Sequence, residues 1–228
     1  MYALAAGPLL WISLALFVGG LIYRAFRLFR LTERRPERSC TVTLPKDARP
    51  PSVPEGERAL DRLAAFRNSV LGKHPVMVIV SAVFHACLFA APLLLAAHNA
   101  LLRRAVGFGL PSLPDGACDA LTAVVLAGAV FFLVRRLAVP RVAAISGAAD
   151  YAVLAATTLP FLTGFLAYHQ VMDPRTVMTV HVLSGDLLLA VLPFTKISHM
   201  VFFFFARLTL AGEFCLGRGT RDWAPETR

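Results

Sequence analysis

The chain has 228 residues, of which 57% are hydrophobic and 16% charged, and its mean hydropathy is +0.65. A water-soluble domain of this length could not bury so much apolar surface, so part of the chain is expected to lie in lipid, and extensive disorder is excluded. The formal net charge of +9 does not indicate nucleic-acid binding, because the arginines lie beside the apolar segments, as in membrane proteins.

Five apolar segments are long enough to cross a membrane, and all are predicted to be helices because a lone strand would leave its backbone unpaired in lipid. In chain order they cover residues 4–26, 75–97, 118–139, 145–167 and 180–206. The predicted fold is therefore an all-α integral membrane protein, with residues 1–228 forming one domain, a five-transmembrane-helix bundle.

Basic residues predict the orientation of this bundle. The first span has no Lys or Arg before its apolar run and several after it, which is typical of an uncleaved span and not of a signal peptide. Most other Lys and Arg residues near span ends fall on the same side, so the N-terminus is predicted outside and the C-terminus in the cytoplasm. Residues 32–73, rich in proline and charge, are predicted to be a cytoplasmic linker, either a solvated loop or a docking segment for a partner.

The four cysteines, Cys40, Cys87, Cys118 and Cys215, are isolated in the sequence. Covalent c-type haem and iron–sulfur ligation are therefore not expected, and Cys87 and Cys118 are predicted to be small buried apolar residues.

Histidines occur in pairs on the second and fifth spans. His181 and His199 are eighteen residues apart, which in a regular helix is five turns and about 27 Å of rise, so both are predicted on one face. The two spans run antiparallel, which places His98 opposite His181 near the outer surface and His85 opposite His199 in the inner half. Two facing imidazole pairs at two depths are what two bis-histidine b-type haems require.

A second register remains open on the second span, where His74 and His85 form the other pair. His74 follows Lys73 and precedes Pro75, which places it at the water interface, so the pair of His85 and His98 is preferred and His74 is the fallback. Pro92 is expected to bend the helix between the preferred pair.

The segment HVLSGDLLLAVLPFTKISHMVFFFFARL resembles the last helix of the respiratory nitrate reductase gamma subunit family, in which a Pro-Phe-Ser/Thr-Lys/Arg motif lies between two histidines. The matching residues here are Pro193, Phe194, Thr195 and Lys196, between His181 and His199. FHACLFAAPLLLAAHN, with His85 and His98, is similar to the ligand pair of that family's second helix, with a wider spacing.

DYAVLAATTLPFLTGFLAYHQ and the long basic linker are similar to the cytochrome b subunits of sulfate-reducer transmembrane redox complexes, the high-molecular-weight cytochrome c and type II cytochrome c3 complexes. The resemblance implies a dihaem cytochrome b of the bacterial cytoplasmic membrane, acting as an electron-transfer subunit of an oxidoreductase complex. The implied partners are a cytoplasmic iron–sulfur subunit, other integral membrane subunits and a periplasmic multihaem cytochrome c.

Four further residues of the spans have predicted roles. Lys196 lies three residues from His199, where its ammonium is expected to pair with a haem propionate or to extend to the lipid headgroups. Asp186 is a charge within a span, which predicts a partner or a proton-handling role. Gly164 and Gly185 are expected to admit the close approach of a porphyrin or a neighbouring helix.

A menaquinone site would need polar residues beside the outer haem. The candidates are His98, Asn99, His169, Gln170 and Asp173, and His169 is singled out as the proton acceptor. The competing hypothesis is a haem-free membrane anchor or small transporter whose histidines and Asp186 relay protons.

Overall fold

The computed structural model describes residues 2–31, 67 and 70–203, which are almost entirely helical. Five of its helices are long and apolar enough to cross a membrane: Tyr2–Arg30, Pro75–Leu94, Asp115–Ala138, Ala148–Tyr168 and Pro174–Phe194. The prediction of an all-α, multi-pass membrane protein with five spans is thus confirmed, while the direction of the termini stays a prediction. Most of the 32–73 linker and the end of the fifth span at residues 204–206 lie outside the described residues.

The chain divides into two compact units, a smaller one of Met1–Pro36 with Val182–Arg228 and a larger one of Glu37–His181. The smaller unit contains the first helix, α1, in which Tyr2–Leu4, a π-helical turn over Ala5–Leu9 and Leu10–Leu31 follow one another. Pro8 lies in the π turn, where its missing N–H interrupts the regular hydrogen-bond ladder.

The same unit holds a close contact between α1 and the end of the fifth span. A Cβ placed on Gly20 would lie 2.6 Å from Pro193 Cβ and 2.9 Å from Phe194 Cζ. Only glycine therefore fits where α1 crosses the Pro-Phe pair, which shows that this motif is a packing element as well as a sequence signature.

The larger unit contains α2 (Pro75–Leu94), α3 (Ala96–Val106), α4 (Asp115–Ala138), α5 (Ala148–Tyr168) and the first part of α6 (Pro174–Val191). The central helix is α4, which packs against both α2 and α5. Cys87 and Cys118 are buried free thiols, as predicted. Large apolar side chains such as Leu137 stay exposed, as expected for helices whose outer faces meet lipid.

Polar contacts link α4 to the two ends of α5. His169 Nε2 lies 3.0 Å from Asp119 Oδ1, and Arg136 Nη1 lies 4.0 Å from Asp150 Oδ1. Asp150 also accepts a hydrogen bond from the Gly147 backbone N–H and so caps the start of α5. These contacts fix the antiparallel register of α4 and α5.

Two predicted helices are interrupted, which corrects the geometry assumed for both histidine pairs. The second span ends at Leu94, since Leu95 is extended with φ −72° and ψ 129°, and the chain restarts as α3. The α-helix of the fifth span, α6, begins at Pro174 and ends at Val191, and two 3₁₀ turns follow, Leu192–Phe194 and Lys196–Ser198. The regular rise and phase used to relate His181 to His199, and His85 to His98, therefore do not apply.

Candidate functional site

The site with the clearest geometry is formed by His98 and His181. Their imidazole centroids lie 6.1 Å apart and their ring planes differ by only 8°. Both residues belong to the larger unit, and both rings are half-buried. The structure thus brings together the two histidines that the sequence places opposite each other near the outer surface.

His98 is held by the helix break that precedes it. In a continuous helix the carbonyls of Pro92, Leu93 and Leu94 would accept hydrogen bonds from the N–H groups four residues later. The extended Leu95 removes that arrangement, and each carbonyl finds another donor. His98 Nδ1 donates to Pro92 O at 3.0 Å, Asn99 Nδ2 to Leu93 O at 2.9 Å and the Leu113 N–H to Leu94 O at 2.9 Å.

Asn99 links this break to the loop that follows α3. Its side chain is 1% exposed. Besides donating to Leu93 O, Nδ2 lies 3.2 Å from Ser112 Oγ, and Oδ1 accepts from the Leu110 N–H at 3.0 Å. Sequence reasoning placed Asn99 only among the quinone candidates. The sequence feature that could have indicated its role is an asparagine next to a histidine where a helix is interrupted. Backbone N–H and C=O groups freed at such a break need a side chain that can both donate and accept hydrogen bonds.

His181 is held from the neighbouring helix α5. Its Nδ1 lies 3.0 Å from Pro160 O and 3.2 Å from Thr163 Oγ1. Thr163 donates its own hydroxyl proton to the Leu159 carbonyl at 2.8 Å, so the oxygen can accept from His181. Gly164 lies against the ring, because a Cβ there would be 3.1 Å from Cε1 and 3.4 Å from Nδ1. The prediction that Gly164 admits a close approach is met by the imidazole itself.

The other two predicted ligands are held in the same way. His85 Nδ1 lies 2.7 Å from Ser81 O, one turn earlier on α2, and His199 Nδ1 lies 2.6 Å from Lys196 O. A carbonyl can only accept, so in all four histidines Nδ1 carries a proton, and in the neutral imidazole the lone pair is then on Nε2. This is the arrangement of metal-ligating histidines, whose second ring nitrogen donates to a carbonyl or carboxylate.

The remaining two histidines differ from these four. His169 uses Nε2, which lies 3.0 Å from Asp119 Oδ1, and its ring is exposed beside Phe165 and Tyr168. His74 is exposed at the start of α2, directly before Pro75, as expected for the fallback residue at the water interface.

Of the other quinone candidates, Gln170 and Asp173 lie in the exposed turn between α5 and α6. Gln170 takes a left-handed conformation with φ 52°. Asp173 caps α6, accepting 2.8 Å hydrogen bonds from both the backbone N–H and the hydroxyl of Thr176. These hydrogen bonds, the backbone one first, hold the pKa of the Asp173 carboxyl below its usual value.

The polar residues of the smaller unit have contrasting surroundings. Lys196 is exposed, and its backbone carbonyl is the acceptor for His199, a contribution that the sequence did not indicate. Asp186 is buried, and neither carboxylate oxygen has a hydrogen-bond partner in the described part of the chain. A Cβ on Gly185 would meet nothing within 4 Å, so the close approach predicted there does not involve the described residues.

The donor set of this site is a pair of imidazoles. Within residues 2–31, 67 and 70–203 there is no cluster of three His, Cys, Asp or Glu side chains that could hold an ion. A haem iron needs only two axial ligands. The rings of His98 and His181 are stacked with centroids 6.1 Å apart, and each Nδ1 is held by a backbone carbonyl.

Comparison with known proteins finds a relative that aligns with nearly the full length of the chain. No protein-family profile matches the chain, and no solved structure matches it. A protein of Nitratidesulfovibrio vulgaris, strain Hildenborough, described only as "Protein", is 36% identical over 230 residues, covering 99% of this chain and 98% of that protein. An identity of this size over both full lengths means a shared fold, and the chain belongs to the same family as this Nitratidesulfovibrio protein.

Proposed function

We propose that this protein is a dihaem b-type cytochrome subunit of a redox complex in the bacterial cytoplasmic membrane, and that it passes electrons across the membrane. The observation that carries the proposal is the pair of parallel imidazoles of His98 and His181, 6.1 Å apart, each with its Nδ1 held by a backbone carbonyl. The sequence relative from a sulfate-reducing bacterium is consistent with it.

The outer haem would be held by His98 and His181. The order of the spans in the sequence assigns His85 and His199 to the inner haem, and each has its Nδ1 on a backbone carbonyl. Haem would supply one-electron oxidation and reduction at its iron. The chain would fix the tautomer and ring orientation of each ligand, and the exposed Lys196 ammonium would pair with a propionate near His199.

Electrons would pass between a periplasmic multihaem cytochrome c or menaquinol and a cytoplasmic iron–sulfur subunit, with other integral membrane subunits completing the complex. If menaquinol is the donor, the exposed His169, hydrogen-bonded to Asp119, is the group that would accept its proton. The redox chemistry then belongs to the complex, and this chain by itself is an electron carrier.

A reduced-minus-oxidised spectrum of the purified chain tests the cofactor directly. A b-type α-band with about two haems per chain is expected. An absence of haem in protein isolated from its native host would refute the proposal and favour the haem-free anchor or transporter.

Ligand variants then test the pairing. His98→Ala, His181→Ala and the double variant of both should each keep one haem, because all three lose the same site. His199→Ala should also lose about half of the haem, and combining it with His98→Ala should remove both haems. His169→Ala is the matched control and should keep both. If the double variant of His98 and His181 lost two haems while each single variant lost one, their pairing on one haem would be overturned. Loss of haem in His74→Ala would favour the pair of His74 and His85 on the second span.

A further inference from the structure

The buried carboxyl group of Asp186 lies inside a span and is not explained by haem binding. Asp186 is 3% exposed, and both of its carboxylate oxygens are buried without a hydrogen-bond partner among the described residues. An ionised carboxylate in such a place costs several kcal/mol unless a counter-charge or hydrogen-bond donors compensate for it. A structural role alone would be served better by an apolar residue.

The residues nearest to Asp186 along α6 offer no counter-charge. One turn away in each direction the helix carries Val182, Leu183, Leu189 and Ala190, all apolar. The nearest titratable group earlier on the same helix is His181, whose Nδ1 donates to α5. Beyond Asp186 the next ones are Lys196 and His199, which follow the helix interruption at Thr195.

The smaller unit has a second buried polar residue, Ser13 of α1, which is also 3% exposed. No titratable residue lies on α1 between Tyr2 and Tyr23, so this part of the helix carries no charge.

These surroundings decide which cation the carboxylate can take. A basic side chain of a partner subunit could pair with Asp186 only if the carboxylate were accessible, and Asp186 is only 3% exposed. Metal cations such as Ca²⁺ or Mg²⁺ require about six or more oxygen ligands, whereas the only polar side chain within one turn of Asp186 on α6 is Ser184. A proton needs only one carboxylate oxygen.

We propose that Asp186 is a proton-binding site within the membrane-spanning region. The carboxyl group takes up and releases a single proton and does not form an ion pair. The inference rests on the burial of Asp186 and on the absence of a partner for its oxygens among the described residues, and it holds whether or not the histidines bind haem.

Dicyclohexylcarbodiimide, a hydrophobic reagent for protonated carboxyl groups in membranes, tests the proposal. The carboxyl proton passes to one carbodiimide nitrogen while the carboxylate oxygen bonds to the central carbon, and acyl migration to nitrogen then gives a stable acylurea. The product is a simple adduct, and no oxidant or reductant is needed. The full chain in membranes at neutral pH should take up one reagent molecule, located on Asp186 by peptide mass spectrometry.

Two variants and a second reagent complete the design. Asp186→Asn should lose the adduct, and Asp115→Asn, which changes an exposed carboxyl in the first turn of α4, should keep it. A water-soluble carbodiimide should not modify Asp186. An unlabelled Asp186 in the folded wild-type protein would overturn the proposal, as would equal labelling of the Asp186→Asn variant. Peptide mapping of the wild type remains decisive if the variant does not fold, and the haem spectrum of the same sample reports separately on the proposed function.

Discussion

Replacing Gly164 by alanine tests whether the His181 ring is positioned for a ligand. The added Cβ would lie 3.1 Å from His181 Cε1 and 3.4 Å from Nδ1, whereas ordinary contacts are 3.4–4 Å, so the ring must shift by a few tenths of an ångström. The Nδ1 hydrogen bond to Pro160 O is already 3.0 Å long, and such a shift takes it beyond the usual limit of about 3.2 Å. The loss of one such bond, about 1 kcal/mol, corresponds to a roughly fivefold weaker hold on the outer haem.

The matched control is Gly185→Ala on α6, where an added Cβ meets nothing within 4 Å. Both substitutions exchange glycine for alanine inside a helix, so both gain a similar helix propensity of up to about 1 kcal/mol. The assay measures the haem content per chain after both variants and the wild type are incubated for the same time with a haem-free protein that captures released haem. The spectrum of the remaining haem is recorded as well. Gly164→Ala should lose one haem faster than the wild type while Gly185→Ala retains both. Equal haem retention in the two variants would refute the positioning of His181 by Gly164.

Two further predictions concern residues outside the ligand set. Asn99→Ala removes three hydrogen bonds at the α2–α3 break and should lower the free energy of unfolding by roughly 3 kcal/mol. The variant should also lose the outer haem before the inner one. Unchanged thermal unfolding would contradict this account. Asp173→Ala removes the α6 cap. The folded-state pKa of Asp173 lies below its usual 3.8, so the cap stabilises above the unfolded-state pKa and loses its effect as the pH falls through the folded-state pKa. Thermal unfolding should therefore separate Asp173→Ala from the wild type at neutral pH and show no difference in strong acid.

The five spans were predictable because each is a long apolar run, and in lipid an apolar run has to be helical. The positions at which the helices of the second and fifth spans are interrupted were not predictable. Pro92 predicted a bend, yet the helix breaks three residues later at Leu95, where Asn99 and Leu113 supply the replacement hydrogen bonds. The distance from His181 to His199 was predicted from a regular helix, whereas α6 stops at Val191, two residues before Pro193, which packs on Gly20. These outcomes depend on partners distant in sequence, which helical periodicity cannot reveal.

The structure places His98 beside His181, although the regular helix geometry from which the sequence predicted this placement does not hold. Eighteen residues of unbroken helix would have fixed the phase of His181 and His199, and that helix is interrupted between them. The pairing followed from a coarser fact, that antiparallel spans place the end of one beside the start of another. The phase of His98 is set instead by its Nδ1 bond to Pro92 O.

The interruption of the second span therefore has a role in the site. In an unbroken helix the Pro92 carbonyl would be taken by a backbone N–H, and His98 would lack this acceptor. By ending α2 at Leu94, the chain exposes a carbonyl that selects the Nδ1-protonated tautomer of His98 and directs the Nε2 lone pair away from α2. Asn99 stabilises that break through its bonds to Leu93 and Leu110, so it acts on the imidazole through the backbone without touching it. Restoring a continuous helix across Leu95 would raise helicity and remove the group that orients the ligand.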